Sequence, residues 1–335
     1  MPPKGSTLER KKAPAVLISA LAALVCWAGG RGQQPQLLEV PGIAPSALKR
    51  LPLDAESQAA LEKSFKARDF KRAEIILLKG LERTPKSPQL LTLVGVVFFL
   101  DGEYLNSAVA MKKADALAPL DDRSRFTLAM AYVTLNHRDW ARPELEKLAG
   151  SDPQNAIYPY WLSRLDYDAM DFNSAVRHAQ KALELNPDFL KAYDNLGLCY
   201  EALGQYERAI QAYSKAVRLS QKDRSCSPWP SLDFGALLVK LDRLGAAEES
   251  LKQSLACDPK FPRAHYQMGL LLEKQRNDDQ AISELKRAAA LDPGYADPHY
   301  LLGRIYQRQG DKQKAAEALS NFQQLKKAES RQRPR

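Results

Sequence analysis

The chain has 335 residues, of which 45% are hydrophobic and 27% charged, an ordinary globular balance that excludes wholesale disorder. Its four cysteines are too few for a small fold held together by a dense set of disulfides. The formal net charge of +9 is concentrated in residues 1–53 and 326–335, and residues 54–325 are electrically balanced, so the body of the chain lacks the basic excess typical of nucleic-acid-binding proteins.

Residues 1–30 have the pattern of an export signal. Three basic residues at positions 10–12 precede an uncharged, mostly apolar run over residues 13–28. A short apolar segment behind positive charge is typical of a secretory signal peptide, and we expect cleavage after Ala28. The uncharged stretch 13–30 has 18 residues, which also fits an uncleaved membrane anchor. In both cases the rest of the chain is expected outside the cytoplasm, and after cleavage it would be periplasmic or secreted.

Residues 31–53 are predicted to form a linker. Four prolines in this stretch block a continuous helix, which favours an extended spacer. At the other end of the chain, residues 330–335 are predicted to form a short basic tail.

Residues 54–329 contain one motif repeated eight times. Proline recurs at a spacing of 34 residues in two series, Pro85, Pro119, Pro153 and Pro187, and then Pro259 and Pro293. The two series share one 34-residue frame when residues 224–227 are treated as a four-residue insertion. Position 20 is small in all eight units and position 8 is small in seven. The units are 54–87, 88–121, 122–155, 156–189, 190–223, 228–261, 262–295 and 296–329.

Each unit is predicted to be a helical hairpin. In the fifth unit, apolar residues recur at helical spacing on both sides of Gly204, a residue type that commonly ends a helix. Small residues at positions 8 and 20 let the two helices approach closely, and proline at position 32 ends the second helix. One hairpin cannot bury both of its faces, so the units are expected to stack as a solenoid.

These columns resemble the tetratricopeptide repeat family, which has small residues at positions 8, 20 and 27, large apolar residues at 11, 17 and 24, and proline at 32. The fifth unit matches this pattern at Gly197, Tyr200, Tyr206, Ala209, Tyr213 and Ala216. The resemblance implies an all-α fold, a right-handed superhelical solenoid of about eight helix-turn-helix repeats. Departures lie at the ends and at the insertion, where Leu61, Gln221, Phe322 and Lys327 replace the expected residues.

Catalytic and metal-binding motifs are absent from the sequence. It has no phosphate-binding glycine loop, no Gly-x-Ser-x-Gly, no His-Glu-x-x-His and no cysteine pair with metal-ligand spacing. His265 and His299 both occupy position 4 of their units, where packing at the helix interface is expected rather than metal binding. We therefore expect no enzyme activity, no cofactor and no metal.

Two cysteines are placed where a disulfide is a testable hypothesis. Cys226 lies in the insertion and Cys257 ends the second helix of the sixth unit, so both lie near one edge of the predicted solenoid. An oxidising compartment would allow them to pair. The alternative is three unpaired thiols, with Cys199 as the third.

The family resemblance also implies a binding groove. In the family, the first helices line a concave face, and positions 2, 5, 6, 9, 12 and 13 point into it. Carried onto this chain, the predicted contact residues are Tyr160, Arg164, Tyr167, Lys191, Asp194, Asn195, Trp229, Arg263, Tyr266 and Arg304. Trp161, Asp233 and Arg308 occupy the same set of positions. The alternative is that the aromatic residues Tyr160 and Trp161 pack between repeats and that Arg164 is solvated.

One subclass of the family does not fit. Co-chaperone members hold a peptide carboxylate with Lys at 5 and Asn at 9 of one unit, Asn at 6 of the next, and Lys at 2 with Arg at 6 of the third. The corresponding residues here are Tyr160, Arg164, Asn195, Trp229 and Asp233, so only the central asparagine matches.

The sequence therefore predicts a non-catalytic adaptor that binds a protein or peptide partner in the concave groove, outside the cytoplasm. The alternative is a membrane-anchored structural subunit, attached through residues 13–30, that organises a cell-envelope complex through convex or end contacts. Binding of nucleic acid is not expected, because the basic excess lies in the ends of the chain.

Overall fold

The computed structural model describes residue 48 and residues 51–222 and 226–332. Within these residues there are sixteen α-helices and no strand, and the helices follow one another as eight hairpins. The predicted all-α fold of stacked hairpins is confirmed for this part of the chain. The predicted signal or anchor, residues 1–30, lies outside the described residues, as does most of the predicted linker.

The chain divides into two compact units, the first ending at Ser151 and the second beginning at Asp152. The described part of the amino-terminal unit contains three hairpins. Their helices are α1 (Ala55–Lys66), α2 (Phe70–Arg83), α3 (Pro88–Leu100), α4 (Tyr104–Leu117), α5 (Asp122–Thr134) and α6 (Arg138–Ser151). Within this unit α2 and α4 each pack on their own first helix and on the first helix of the next hairpin, which buries both faces of the hairpin.

The described part of the carboxy-terminal unit contains five hairpins with the same arrangement. Their first helices are α7 (Ile157–Asp168), α9 (Leu190–Ala202), α11 (Trp229–Lys240), α13 (Pro262–Lys274) and α15 (Asp297–Gln309). Their second helices are α8 (Phe172–Leu185), α10 (Tyr206–Lys222), α12 (Leu244–Cys257), α14 (Asp278–Leu291) and α16 (Lys312–Gln332). The last helix therefore extends into the residues predicted to form a basic tail.

The turn inside the hairpin has the same backbone geometry in all eight. The fifteenth residue of every unit adopts the left-handed backbone conformation, with φ between 54° and 81°. Three of these residues are glycines, Gly102, Gly204 and Gly310. The other five are Arg68, Asn136, Met170, Asp242 and Arg276. The conformation is costly for the arginines and the methionine, and less so for asparagine and aspartate, whose short polar side chains tolerate it. The structure thus keeps one 34-residue period on both sides of the insertion.

Replacing Met170 by glycine is expected to raise the free energy of unfolding by about 0.5–1 kcal/mol, because glycine adopts positive φ without a steric penalty. Met170 has a φ of 61° and is 79% exposed, so little packing is lost. The converse change, Gly204→Ala, introduces a Cβ at a φ of 71° and is expected to destabilise by about 1 kcal/mol. Urea denaturation of both variants measures the effect, and a loss of stability in Met170→Gly would contradict it.

Glycine at position 8 sets the closest approach between the two helices of a hairpin. Five hairpins have it, at Gly95, Gly197, Gly235, Gly269 and Gly303. A Cβ atom at any of these would lie 2.5–2.8 Å from the side chain at position 24 of the same hairpin. In the fourth hairpin Ser163 stands at position 8, and its Oγ donates a hydrogen bond to the carbonyl of Ala175 at 2.6 Å. The small residues at position 8 are therefore required by packing.

Proline at position 32 accounts for the lengths of the second helices. Each of the six second helices followed by this proline has 14 residues and ends two residues before it. The two hairpins that lack it, with Gln221 and Lys327 at this position, have second helices of 17 and 21 residues. Without the ring at position 32, backbone amide donors remain available and the helix continues.

The end of the predicted linker packs against the first hairpin. Leu48 and Leu51 are buried, at 3% and 7% exposure, and Gln58 Nε2 donates to the carbonyls of Leu51 and Leu53 at 3.2 Å. These residues are part of the core and do not form a free spacer.

Candidate functional site

The first helices of the carboxy-terminal unit form its inner face. Neighbouring first helices contact one another directly, from α7 through α15, whereas the second helices pack outside them and contact first helices instead. Elements on the concave side of a curved stack are the more closely spaced, so the first helices lie on that side. All ten predicted contact residues belong to these five helices.

A hydrogen-bond relay links the inner face to the interior of the fourth hairpin. Arg164 Nη1 donates to Asn195 Oδ1 at 3.3 Å, and Asn195 Nδ2 donates to Ser163 Oγ at 2.6 Å. The relay ends at the carbonyl of Ala175, which accepts from the Ser163 hydroxyl. Asn195 is only 2% exposed, so its predicted contact with a partner is replaced by a supporting role, in which it orients Arg164.

The aromatic ring of Trp229 is the most accessible of the predicted aromatic contacts, at 41% exposure. It packs edge-on against Phe261, with ring centroids 4.9 Å apart, and the Arg263 guanidinium lies 5.4 Å from its centroid. Large aromatic side chains held in a fixed rotamer bury much area on binding at low entropic cost. Trp229 is therefore suited to anchor a partner.

A disulfide holds the segment that carries this tryptophan. Cys226 and Cys257 are bonded, with Cα atoms 5.4 Å apart, as hypothesised from the sequence. Cys226 lies three residues before Trp229, and Cys257 lies four residues before Phe261. The crosslink thus joins the two segments whose rings are in contact. Cys199 is a buried free thiol, and burial raises its pKa to about 12.

Two carboxylates lie on adjacent inner helices, Asp194 on α9 and Asp233 on α11. Neither forms an ion pair or a side-chain hydrogen bond with any residue that the structure describes, and Asp194 Oδ1 is fully buried. Burial raises the pKa of Asp233 to about 7, against the opposing charges of Arg263 and Arg164. Burial, together with the nearby charge of Asp233, also raises the pKa of Asp194 well above its ordinary value.

The remaining predicted contact residues are largely engaged within the chain. Tyr160 packs on Phe189, with centroids 5.0 Å apart, and the tyrosines at 167 and 266 make similar ring contacts. Burial lowers the pKa of Lys191. Arg304 forms an ion pair with Glu273, with Nη2 3.5 Å from Oε1. Tyr160 also packs against a cluster that includes Ala192 of the next unit, so packing between repeats, the alternative stated for Tyr160, is what the structure shows.

Two family models match the carboxy-terminal unit. The tetratricopeptide repeat model matches residues 162–224. A second model, described as the middle TPR-like domain of cilia and flagella-associated protein 70, matches residues 200–326. This chain is a tetratricopeptide repeat protein. Proteins with this architecture generally act as non-catalytic binding modules that mediate protein–protein interactions.

Solved and curated relatives of this tetratricopeptide repeat protein are distant. A tetratricopeptide repeat protein from Parabacteroides merdae has a TM-score of 0.63 at 14% identity, covering 78% of this chain and 99% of that one, and this likeness shows the fold. Anaphase-promoting complex subunit 3 of Schizosaccharomyces pombe is 26% identical over 58% of this chain and 29% of its own length. The YpiA protein of Bacillus subtilis is 22% identical over 63% of this chain and 49% of its own length. The chain thus spans less than half the length of either.

One group of carboxylates in the described residues is compact enough to hold a metal ion, Glu74, Asp101 and Glu103 in the amino-terminal unit. The ammonium of Lys71 lies among them, 3.1, 2.5 and 2.5 Å from the three carboxylates. Lys71 therefore occupies the space between these carboxylates and offsets one of their three negative charges.

One of the two histidines at position 4, His265, is explained by packing. His265 is buried, with Nδ1 2.6 Å from Glu284 Oε2 and Nε2 3.0 Å from the carbonyl of Pro259. Burial lowers the pKa of His299. The hydrogen bonds of His265 fix the start of α13 against α14.

Proposed function

We propose that this tetratricopeptide repeat chain is a non-catalytic adaptor that binds a segment of a partner protein along the inner face of its carboxy-terminal unit. The observation that carries the proposal is the exposed ring of Trp229 on that face, held by Phe261 and by the disulfide. Arg164, oriented by Asn195, supplies a second anchor two hairpins away. Tryptophan and arginine are the side chains most enriched at interaction hot spots.

The proposal places the repeats outside the cytoplasm. Two features support this location, the export-type pattern in residues 1–30 and the Cys226–Cys257 disulfide, since disulfides persist in oxidising compartments. The described residues contain no helix long and apolar enough to cross a membrane.

A double variant on the inner face tests the proposal. Peptides are selected against the purified protein from a random library of capped twelve-residue sequences, and their affinities are measured by fluorescence anisotropy. The change Arg164→Ala with Trp229→Ala is expected to lower these affinities by about two to three orders of magnitude, because hot-spot residues contribute about 2 kcal/mol each.

The matched control removes the same two residue types from second helices, Trp140→Ala with Arg177→Ala, both exposed. It is expected to bind as the unmodified protein does, and circular dichroism checks that all variants fold. If the inner-face variant binds the peptides as tightly as the unmodified protein does, the binding site lies elsewhere.

A second candidate function is favoured by a different surface. The second helices of the amino-terminal unit expose large apolar side chains, at Ile75, Leu78, Leu105, Val109, Leu117 and Trp140. Such a set fits the alternative of a structural subunit that assembles through its convex side. Assembly lost in Leu105→Glu with Val109→Glu, with peptide binding intact, would support this function.

A further inference from the structure

Acidic side chains on the first helices of the carboxy-terminal unit are, as a rule, paired. Asp166 lies 2.6 Å from His178 Nδ1, Glu201 lies 3.0 Å from Lys240 Nζ, and Glu273 lies 2.7 Å from Arg308 Nη1. Each of these carboxylates is thus paired with a basic side chain of the same unit. Removing an unpaired carboxylate from water costs free energy, and pairing it with a basic side chain reduces that cost.

Asp194 and Asp233 depart from that rule. Asp194 is half-buried as a residue, and its Oδ1 is fully buried without a hydrogen bond. Asp233 is also half-buried and has no ion pair among the described residues. They come from neighbouring hairpins and repel each other electrostatically. Two carboxylates on neighbouring hairpins, neither of them in an ion pair among the described residues, form an arrangement that a bound cation would complete.

The nearby cations are already engaged by other groups. Arg164 donates to Asn195, and the guanidinium of Arg263 faces the ring of Trp229. Arg164 acts on both carboxylates and Arg263 acts on Asp233, in each case only through space and without an ion pair. The unpaired polar groups on this face are therefore the two carboxyl groups, which a cation would stabilise in their ionised form.

We infer that the partner segment presents a lysine or arginine side chain to Asp194 and Asp233, beside the exposed ring of Trp229. This inference rests on the proposed function and names the chemistry of the segment that the same inner face accepts. It is the reverse of the carboxylate clamp, since an acidic residue, Asp233, stands where the clamp has arginine. The aromatic ring adds a surface for the aliphatic stem of the cationic side chain or for its charged head.

The titration of the two carboxylates agrees with this assignment. The groups that face them are Tyr160 and Arg164 from α7, Glu201 from α9, Tyr213 from α10 and Arg263 from α13. Burial raises the pKa of Asp233 to about 7. Because its pKa in the unfolded chain is lower, the folded state loses stability as pH rises from about 4 through 7. A bound cation would remove that penalty, so cation binding should strengthen as pH rises through about 7.

Pools of capped octapeptides test the inference. The central residue is fixed as arginine, lysine, glutamate or citrulline, the neutral isostere of arginine, and the other positions are random. At pH 8 the arginine and lysine pools are expected to bind at least tenfold more tightly than the citrulline pool. The variant Asp194→Asn with Asp233→Asn is expected to lose this preference. The control Glu184→Gln with Glu207→Gln removes two exposed carboxylates from second helices and is expected to keep it.

A second measurement separates a binding role from a structural one. At pH 8 the double asparagine variant is expected to unfold at a higher temperature than the unmodified protein, and the difference should shrink towards pH 4. A lower unfolding temperature at pH 8 would assign the two carboxylates to the fold and overturn the inference.

The peptide outcomes are also distinct from failure of the proposed function. Equal binding of arginine and citrulline pools, or preference for glutamate, overturns the inference. If Trp229→Ala still weakens the binding of those pools, the proposed binding at the inner face holds although the inferred preference for a cation does not. If no pool binds, both are overturned.

Discussion

Replacing Tyr213 by alanine is expected to lower the free energy of unfolding of the carboxy-terminal unit by about 3–5 kcal/mol, the usual cost of removing a buried aromatic ring. Tyr213 lies on α10, is 0% exposed and fills the space left by Gly197 on α9, where a Cβ would lie 2.5 Å from its ring. Its removal leaves a cavity between the two helices of the fifth hairpin. Urea denaturation followed by circular dichroism measures the change.

Three variants control this result. Tyr213→Phe loses only the contact of the hydroxyl with Glu201 at 3.4 Å and should cost about 1 kcal/mol or less. Tyr300→Ala removes an exposed tyrosine and should cost less than the buried one. Gly197→Ala is expected to destabilise through the clash with Tyr213, and less so when Tyr213→Ala is also present. Simple additivity of the two changes would contradict the packing argument.

Removing the disulfide, by Cys226→Ser with Cys257→Ser, is expected to cost about 3–4 kcal/mol. The crosslink spans 31 residues, and chain-entropy arguments give about this value for a loop of that length. Because the crosslink joins the segments that carry Trp229 and Phe261, peptide binding at the inner face should weaken as well. The measurement is urea denaturation with and without a reductant.

The reductant supplies the internal control. It should lower the stability of the unmodified protein to that of the double serine variant, and the variant should not respond, because its one described thiol, Cys199, is buried and unpaired. A variant as stable as the oxidised protein would show that the crosslink does not constrain the unfolded chain.

The repeat frame could be predicted because each of its columns has a local physical cause. Small residues at positions 8 and 20 and proline at 32 act within one hairpin, so a single sequence reveals them. The left-handed turn was only partly visible, since glycine marks it in three units and residues such as Met170 and Arg276 hide it in others. There the packing of the two helices overrides the preference of the turn residue.

The candidate site could be predicted less well, because it depends on contacts between hairpins. Family positions placed Tyr160, Asn195 and Trp229 on the correct helices. They did not reveal that Asn195 is buried under Arg164 or that Tyr160 lies against Phe189. The role of Ser163 as the inner link of the relay also went unrecognised, since its sequence signal was that of a small packing residue.

The Cys226–Cys257 bond has a consequence for how the stack comes apart. In a linear array each hairpin is held only by its neighbours, so opening proceeds from a free end, one hairpin at a time. The bond closes the backbone around α11 and α12 into a covalent ring that contains the whole sixth hairpin. A ring gains less chain entropy on opening than a free segment does. Fraying that begins at α16 should therefore stall at this ring, which keeps Trp229 and Asp233 in place while the last two hairpins open and close.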